Sequence, residues 1–325
     1  MAILLTLHQH RFLLRGIDIA ELPENTLLFA REEDASADEE KHAGGVTPPE
    51  KIGTTGNPGI TGKTGTPGIP GHFTYDYHFV SALPVLPEAD AGWQPVYQRY
   101  NIMVWRRGPL ERRTLSVSSP NDAYAVYEET SDTHAHIWVL ESIRSDLRID
   151  TIFVSMLSLE RHLTPHGAYI FHCACMLYRG KSILLSGPSG AGKSTHAELW
   201  CRHVEGTRVV NGDRSLICRE PDGTYVTDGW PVCGSSGICH NERHPLGAIV
   251  FIEQTPANQV LPEGLAGHFR RLYAQLTANH WDSAATAAAA DWAMALCAQV
   301  PIITYGCNMA PDAPLPLQQA LSTLI

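Results

Sequence analysis

The stretch Ser186-Gly187-Pro188-Ser189-Gly190-Ala191-Gly192-Lys193-Ser194-Thr195 decides the fold. Gly187 to Ser194 fit G-x-x-x-x-G-K-[ST], the phosphate-binding P-loop. Gly187, Gly190 and Gly192 let the backbone turn tightly and bring its amides up to a polyphosphate, so residues 187–195 are the candidate nucleotide-binding segment. Lys193 adds a point charge for the β/γ-phosphates, and Ser194 offers a hydroxyl to Mg²⁺. Ser182 to Ser186 reads as a strand entering the loop. Ser194 to Val204 reads as a helix leaving it, with Ala197, Trp200, Cys201 and Val204 on one face. A nucleoside triphosphate with its metal is therefore the expected ligand.

Upstream, Ala168 to Leu177 reads as a buried strand, Arg179-Gly180 as a tight turn, and Ser182 to Ser186 as the antiparallel return. A two-residue loop that sets Tyr178 opposite Lys181 makes paired positions sum to 359, which puts His172 opposite Gly187. His172 is then either a satisfied core residue or a member of the phosphate site. Downstream, Thr207 to Asn211 reads as a strand ending at Gly212-Asp213. A right-handed crossover makes it parallel to Ser182–Ser186 and brings its carboxyl end to the edge of the sheet that holds the P-loop, where open α/β sheets bind ligands. Asp213 is there a candidate metal partner or base for an attacking hydroxyl, with a turn-forming Asx as the alternative.

Ile249 to Glu253 imitates the second acidic motif of P-loop ATPases, although any buried strand before a turn reads the same way. Gly229 to Gly237 is a glycine-rich loop too long for a hairpin, suited to receiving an acceptor. Cys233, Cys239, His240 and His244 lie close together, but C-x5-C-H-x3-H matches no zinc pattern. Helices are expected over 266–276 and 284–300, a strand over 302–305 and a last helix over 315–324.

The chain of 325 residues has length for about two domains. Its net charge of −10, with no Lys/Arg run, argues against a nucleic-acid partner. The densest basic patch, Arg106, Arg107, Arg112 and Arg113, reads as a solvated hairpin. No stretch is long enough to cross a membrane, and Met1 to Leu7 is too short and lacks the basic lead-in of a signal peptide. A cytoplasmic protein with no membrane partner is expected, its eight cysteines as thiols. Residues 1–148 read as a β-rich domain, one sheet formed jointly by 1–30 and 73–147, with Arg11 to Ile19 as its first strand pair. An insertion at 31–72 interrupts it: an acidic run, then a glycine at every third residue from Gly53 to Gly71. That collagen-like pattern is expected to be disordered, with a trimerising device as the alternative, so a homo-oligomer stays open. His134 and His136 alternate on one strand face and read as surface histidines before metal ligands. Asp150 to Leu163 has helical spacing and opens the second domain, 149–325.

With these features in this order, residues 150–310 resemble the catalytic domain of HPr kinase/phosphorylase, and more closely the HPr-kinase-related proteins of bacteria. The likeness is carried by His172, which stands 21 residues before Lys193, and by the loop 186–195. It is carried further by Asn211-Gly212-Asp213 against the family's Asn/Ala-Asp-Asp, and by Gly229 to Gly234 against Gly-Thr-Pro-Trp-x-Gly. The resemblance implies an α/β P-loop kinase domain akin to that of phosphoenolpyruvate carboxykinase, preceded here by the small β-rich domain. It implies phosphoryl transfer from ATP, with Mg²⁺, to a serine-type hydroxyl. Lys193 and Ser194 then bind phosphate and metal, Asp213 serves as base or metal partner, and His172 orients or shares protons. Two departures stand out: Gly212 replaces the first of two aspartates, and Trp230-Pro231-Val232 alters the loop. No motif for HPr itself is present, so the acceptor is expected to be another hydroxyl-bearing peptide, protein or small molecule. The competing readings are a nucleotide-binding accessory module without catalysis and a carboxykinase-type enzyme, the latter without an Arg/Lys/His cluster to hold an oxaloacetate.

Overall fold

Alternation of apolar and polar residues builds the first sheet. In the computed structural model, which describes residues 2–33, 72–85, 92–119 and 121–325, nine strands form it. They are β1 (Ala2–Leu7), β2 (His10–Arg15), β3 (Ala30–Glu33), β4 (His72–Val80), β5 (Gln94–Arg99), β6 (Ile102–Arg107), β7 (Leu110–Ser116), β8 (Ala123–Ser131) and β9 (His134–Leu140). Their order is β3-β1-β2-β4-β9-β8-β7-β6-β5, with β4 parallel to both β2 and β9. Every second residue points into the core: Phe73, Tyr75 and Tyr77 on β4, Ala135, Ile137 and Val139 on β9.

Several expectations change here. The first hairpin is β1–β2, not Arg11 to Ile19, and it turns at His8, whose φ is +55°. The apolar Ala2–Leu7 is a buried strand. The glycine repeat and most of the acidic run, residues 34–71, lie outside the described residues. Arg31 to Glu33, expected to open a disordered insertion, form instead the edge strand β3, where charged side chains keep one side in water and Glu33 takes an ion pair from Arg11 at 3.1 Å. Arg112 and Arg113 are buried rather than solvated. Glu111, fully buried on β7, accepts Arg113 at 2.9 Å, Arg161 at 3.1 Å and the Trp281 indole at 3.0 Å, and Arg112 pairs with Glu128 at 2.9 Å.

After the short α1 (Glu24–Leu27), the expected single helix at 150–163 is broken into α2 (Asp150–Met156) and α3 (Leu159–Leu163). Ser158 lies between them at φ +48°. The break leaves the Leu157 carbonyl free to accept the Tyr75 hydroxyl at 2.7 Å, while Phe153 stacks on Tyr77 with ring centroids 6.3 Å apart.

The second sheet has eight strands. β10 (Ala168–Tyr178) and β11 (Lys181–Ser186) form the anticipated hairpin, with Tyr178 opposite Lys181 and Cys173 opposite Ser186. Arg179 and Gly180 both have positive φ, as a tight turn between twisted strands demands. After α4 (Lys193–His203) comes β12 (Arg208–Asn211), which pairs antiparallel with β10. It therefore runs in the direction of β11, as expected, but with β10 between the two. β13 (Arg214–Arg219) and β14 (Tyr225–Asp228) lead to β15 (His244–Gln254), which lies parallel to β11. β16 (Gln259–Leu261), α5 (Leu265–Gln275), α6 (Ser283–Gln299), β17 (Ile302–Cys307) and α7 (Pro314–Ser322) complete the chain. α6 starts at Asp282, whose carboxylate accepts the amides of Ala284 and Ala285.

The molecule is thus mixed α/β with two large sheets. One core cluster runs from Ile3 and Phe12 of the first sheet through Phe153 and Leu163 to Ile170, Leu216 and Trp230 beneath the second. No helix among the described residues is long and apolar enough to cross a membrane, and all eight cysteines are free.

Candidate functional site

The glycine-rich loop joins β11 to α4. Gly187, Gly190 and Gly192 have φ of +151°, +79° and +96°. A Cβ on Gly187 would meet the Ile252 carbonyl at 3.1 Å, so the loop presses against the end of β15. α4 begins at Gly192 with no side-chain cap. The first-turn amides of Lys193, Ser194 and Thr195 are therefore left free at the positive end of the helix, which is an anion site. Ser189, Ser194 and Thr195 are exposed. Lys193 is buried, its Nζ donating to the carbonyls of Gly187 at 3.1 Å and Pro188 at 3.3 Å. Burial lowers its pKa below the ordinary lysine value, and the charge of Asp213 opposes that shift.

Two strands deliver the other groups. The hairpin pairing ends with Cys173 opposite Ser186, one residue short of His172 and Gly187, and the Ser186 hydroxyl donates to the His172 carbonyl at 2.7 Å. His172 pairs with Arg214 across β10–β13, and the Cys173 amide donates to the Asp213 carbonyl at 3.0 Å. Asp213 and His172 thus come together, Oδ1 to Nε2 at 3.8 Å, each about a quarter exposed (26% and 28%). His172 is accordingly no fully buried core residue. Its Nδ1 meets Gln275 Oε1 at 3.0 Å, which assigns the proton to Nδ1 and leaves Nε2 an acceptor. Burial, then the Lys193 charge, lowers its pKa and so favours the neutral ring. The other oxygen of Asp213 takes Arg214 Nε at 3.1 Å.

Asn211, fully buried, organises this corner. Its Oδ1 accepts the amides of Asp213 at 2.9 Å and Arg214 at 3.0 Å, and its Nδ2 donates to the carbonyls of Trp230 at 2.9 Å and Val232 at 3.1 Å. One side chain therefore fixes both the carboxylate-bearing turn and the glycine-rich loop at 229–237. Gly212 has a steric explanation: a Cβ there would lie 1.9 Å from Ser236 Oγ. Ser236 fills the space that a second carboxylate would need.

Glu253, at the end of β15, pairs with Arg271, which also holds Glu263 at 2.8 Å. Glu253 and Arg271 line a hollow with Ser189 and Gly190. Cys233, Cys239, His240 and His244 do not converge. Cys239 donates to the Trp230 carbonyl and His244 meets Glu242 at 2.8 Å.

Two cavities reach neighbours of His172 and Asp213, one through Gln275 and the other through Arg214. One of about 350 Å³ is lined by Gly187, Pro188, Phe251, Arg271 and Gln275. The other, about 430 Å³, is lined by Arg214, Trp230 and Val232 together with Tyr97, Arg113 and Trp281. A hollow of about 500 Å³ around His10, His162 and His166 contains none of these groups. Asn211, Arg214, Gln275 and Arg271 belong to the site through contacts that their local sequence does not announce. An Asn closing a strand directly before Gly-Asp was the one local signal among them.

A family model described as SynChlorMet cassette protein ScmC matches residues 138–291, from the end of β9 to the middle of α6. That span contains His172, the glycine-rich loop, Asn211, Asp213 and Gln275. Thymidylate kinases of Burkholderia cenocepacia (strain HI2424) and Burkholderia orbicola (strain MC0-3) are each 38% identical over 47 residues, or 14% of this chain. The matched stretch spans 23% of the length of those relatives.

Proposed function

We propose that the chain is an ATP-dependent kinase of the HPr-kinase type, which moves a phosphoryl group to a hydroxyl of a peptide, protein or small molecule. The observation that carries this reading is Asp213 set 3.8 Å from His172, with the Lys193 charge acting on His172 and answered by Asp213 from an uncapped helix N-terminus. The free amides and Lys193 bind polyphosphate. The Ser194 hydroxyl and the Asp213 carboxylate are oxygen donors of the kind Mg²⁺ takes, and both are exposed enough to reach it. Bound with the nucleotide, Mg²⁺ neutralises phosphate charge.

The acceptor occupies the cavity beside Arg214, and Asp213 takes the proton of its hydroxyl, with neutral His172 Nε2 as the neighbour able to share it. Gln275 holds the ring in that tautomer. Arg214 draws one carboxylate oxygen aside and keeps the other turned to His172. Incubation with γ-labelled ATP and candidate hydroxyl acceptors should transfer label, and Asp213→Asn and Lys193→Met should each lower the rate by about 10²-fold or more. Undiminished transfer in Asp213→Asn would refute the assignment. Gly212 favours a second reading, a nucleotide-binding accessory without catalysis. Under it, ATP raises the melting temperature and no acceptor is labelled.

A further inference from the structure

The outer face of the first sheet carries a cluster that phosphoryl transfer does not use. Asp76 and His78 stand two apart on β4, His134 and His136 two apart on β9, and Asp76 lies directly opposite His136. Period two puts all four on the face turned away from the core, since Ala135, Ile137 and Tyr77 between them are buried. The His134 ring meets His136 edge-on with centroids 5.0 Å apart. His134 Nε2 lies 2.9 Å from Asp76 Oδ2, and His78 Nε2 lies 2.9 Å from His136 Nδ1. One ligand atom from each of Asp76, His134 and His136 falls within 4.8 Å of the others.

Arg15 lies opposite Asp76 on β2, yet among the described residues the carboxylate pairs with an imidazole and not with that guanidinium. Two separate surface hydrogen bonds account for the pairs, but not for three donors turned to one point. Zinc–ligand bonds of about 2.0–2.1 Å require tetrahedral donors roughly 3.3 Å apart, a contraction that side-chain rotation supplies.

We infer that Asp76, His134 and His136 form a divalent transition-metal site, of the imidazole–carboxylate chemistry that suits Zn²⁺, with His78 orienting the His136 ring. Three protein ligands leave the fourth position to water. His78 acts as the outer partner that metal-bound histidines ordinarily have. The site stands apart from the glycine-rich loop and does not depend on the kinase reading.

The test uses the full chain, stripped with chelator and kept free of nucleotide. Titration with Co²⁺ should give the visible bands of a low-coordinate site at one ion per chain, and Zn²⁺ should displace it. His134→Gln/His136→Gln should abolish the bands, and Asp76→Asn should weaken Co²⁺ binding by about tenfold or more. His244→Gln should leave the titration unchanged. Unfolding by urea confirms that each variant is folded, and Asp76→Asn, nearly isosteric, keeps the test informative should the double variant fail it. Absence of Co²⁺ binding, or binding undiminished in either cluster variant, overturns the proposal.

Discussion

Replacing Gly212 by alanine tests how tightly the corner around Asp213 is built. The new methyl would stand 1.9 Å from Ser236 Oγ and 2.3 Å from Ser236 Cβ, against an ordinary contact of about 3.5–4 Å. Ser236 must withdraw by more than about 1 Å. It is not free to do so, because its hydroxyl donates to the Cys233 carbonyl at 2.7 Å and accepts the Ile238 amide at 3.1 Å. Overpacking of this kind costs about 1–3 kcal/mol. Two strained or broken hydrogen bonds add about 1 kcal/mol each, for a total of about 3–5 kcal/mol.

Ser236→Gly alone loses only the two hydrogen bonds, about 2 kcal/mol. In the double variant the methyl enters vacated space, so the loss should stay near that of Ser236→Gly. The coupling between the two positions is then on the order of 3 kcal/mol. Urea unfolding followed by tryptophan fluorescence measures all four corners of the cycle, with Trp230 packed next to the loop as a reporter. Additive losses, or a Gly212→Ala variant within about 0.5 kcal/mol of the parent, would refute the steric account of Gly212.

Three further outcomes are expected. Asn211→Ala removes four hydrogen bonds and should destabilise the chain by about 2–4 kcal/mol while speeding amide exchange at Asp213 and Arg214, read by mass spectrometry; unchanged exchange there would show that Asn211 does not hold the turn. Glu111→Ala removes one of the two carboxylates on each of Arg113 and Arg161, leaving Glu160 and Glu129, and should lower stability by about 2–4 kcal/mol in the same urea assay, whereas a loss under about 1 kcal/mol would mark the network as dispensable. His10, through burial and then the charges of His166 and His8, and His196, through burial alone, have pKa values depressed from 6.5 to about 4. Above 6.5 both are neutral folded or unfolded and contribute no pH dependence. As pH falls from 6.5 toward 4 the unfolded chain binds protons that the folded chain refuses, so stability should drop by up to about 3 kcal/mol per histidine. Urea midpoints between about pH 7 and 4.5 should follow that slope, and a slope no shallower in His196→Gln would count against it.

The hairpin that leads into the glycine-rich loop was legible because a two-residue turn leaves one register, which the structure shows as far as Cys173 opposite Ser186. Strand direction was legible as well, since the crossover after α4 has a fixed hand, even though β10 intervenes between β11 and β12. What escaped notice came from partners far away in the chain. Gln275 selects the tautomer of His172 from 103 positions on, and Trp230 and Val232 become acceptors for Asn211 only once the loop has folded back. Arg112 and Arg113 resembled a solvated pair because nothing local announces that Glu111, Glu128 and Glu160 neutralise them inside the protein. The break at Ser158 likewise answers to Tyr75, more than eighty residues earlier.

The continuous core has a bearing on how much of the chain the candidate site needs. Trp230, Val232 and Cys233 bury their side chains among Phe29, Phe153 and Leu163, and a Cβ on Gly229 would already touch Phe29 at 2.7 Å. A fragment limited to residues 138–291 would lose Phe29 from that cover and would also lack β17, the parallel neighbour of β15. The stretch that the family model matches is therefore shorter than the stretch that packs as one core. The lineage of the site and its physical support have different boundaries, and the nine-stranded sheet belongs to the second.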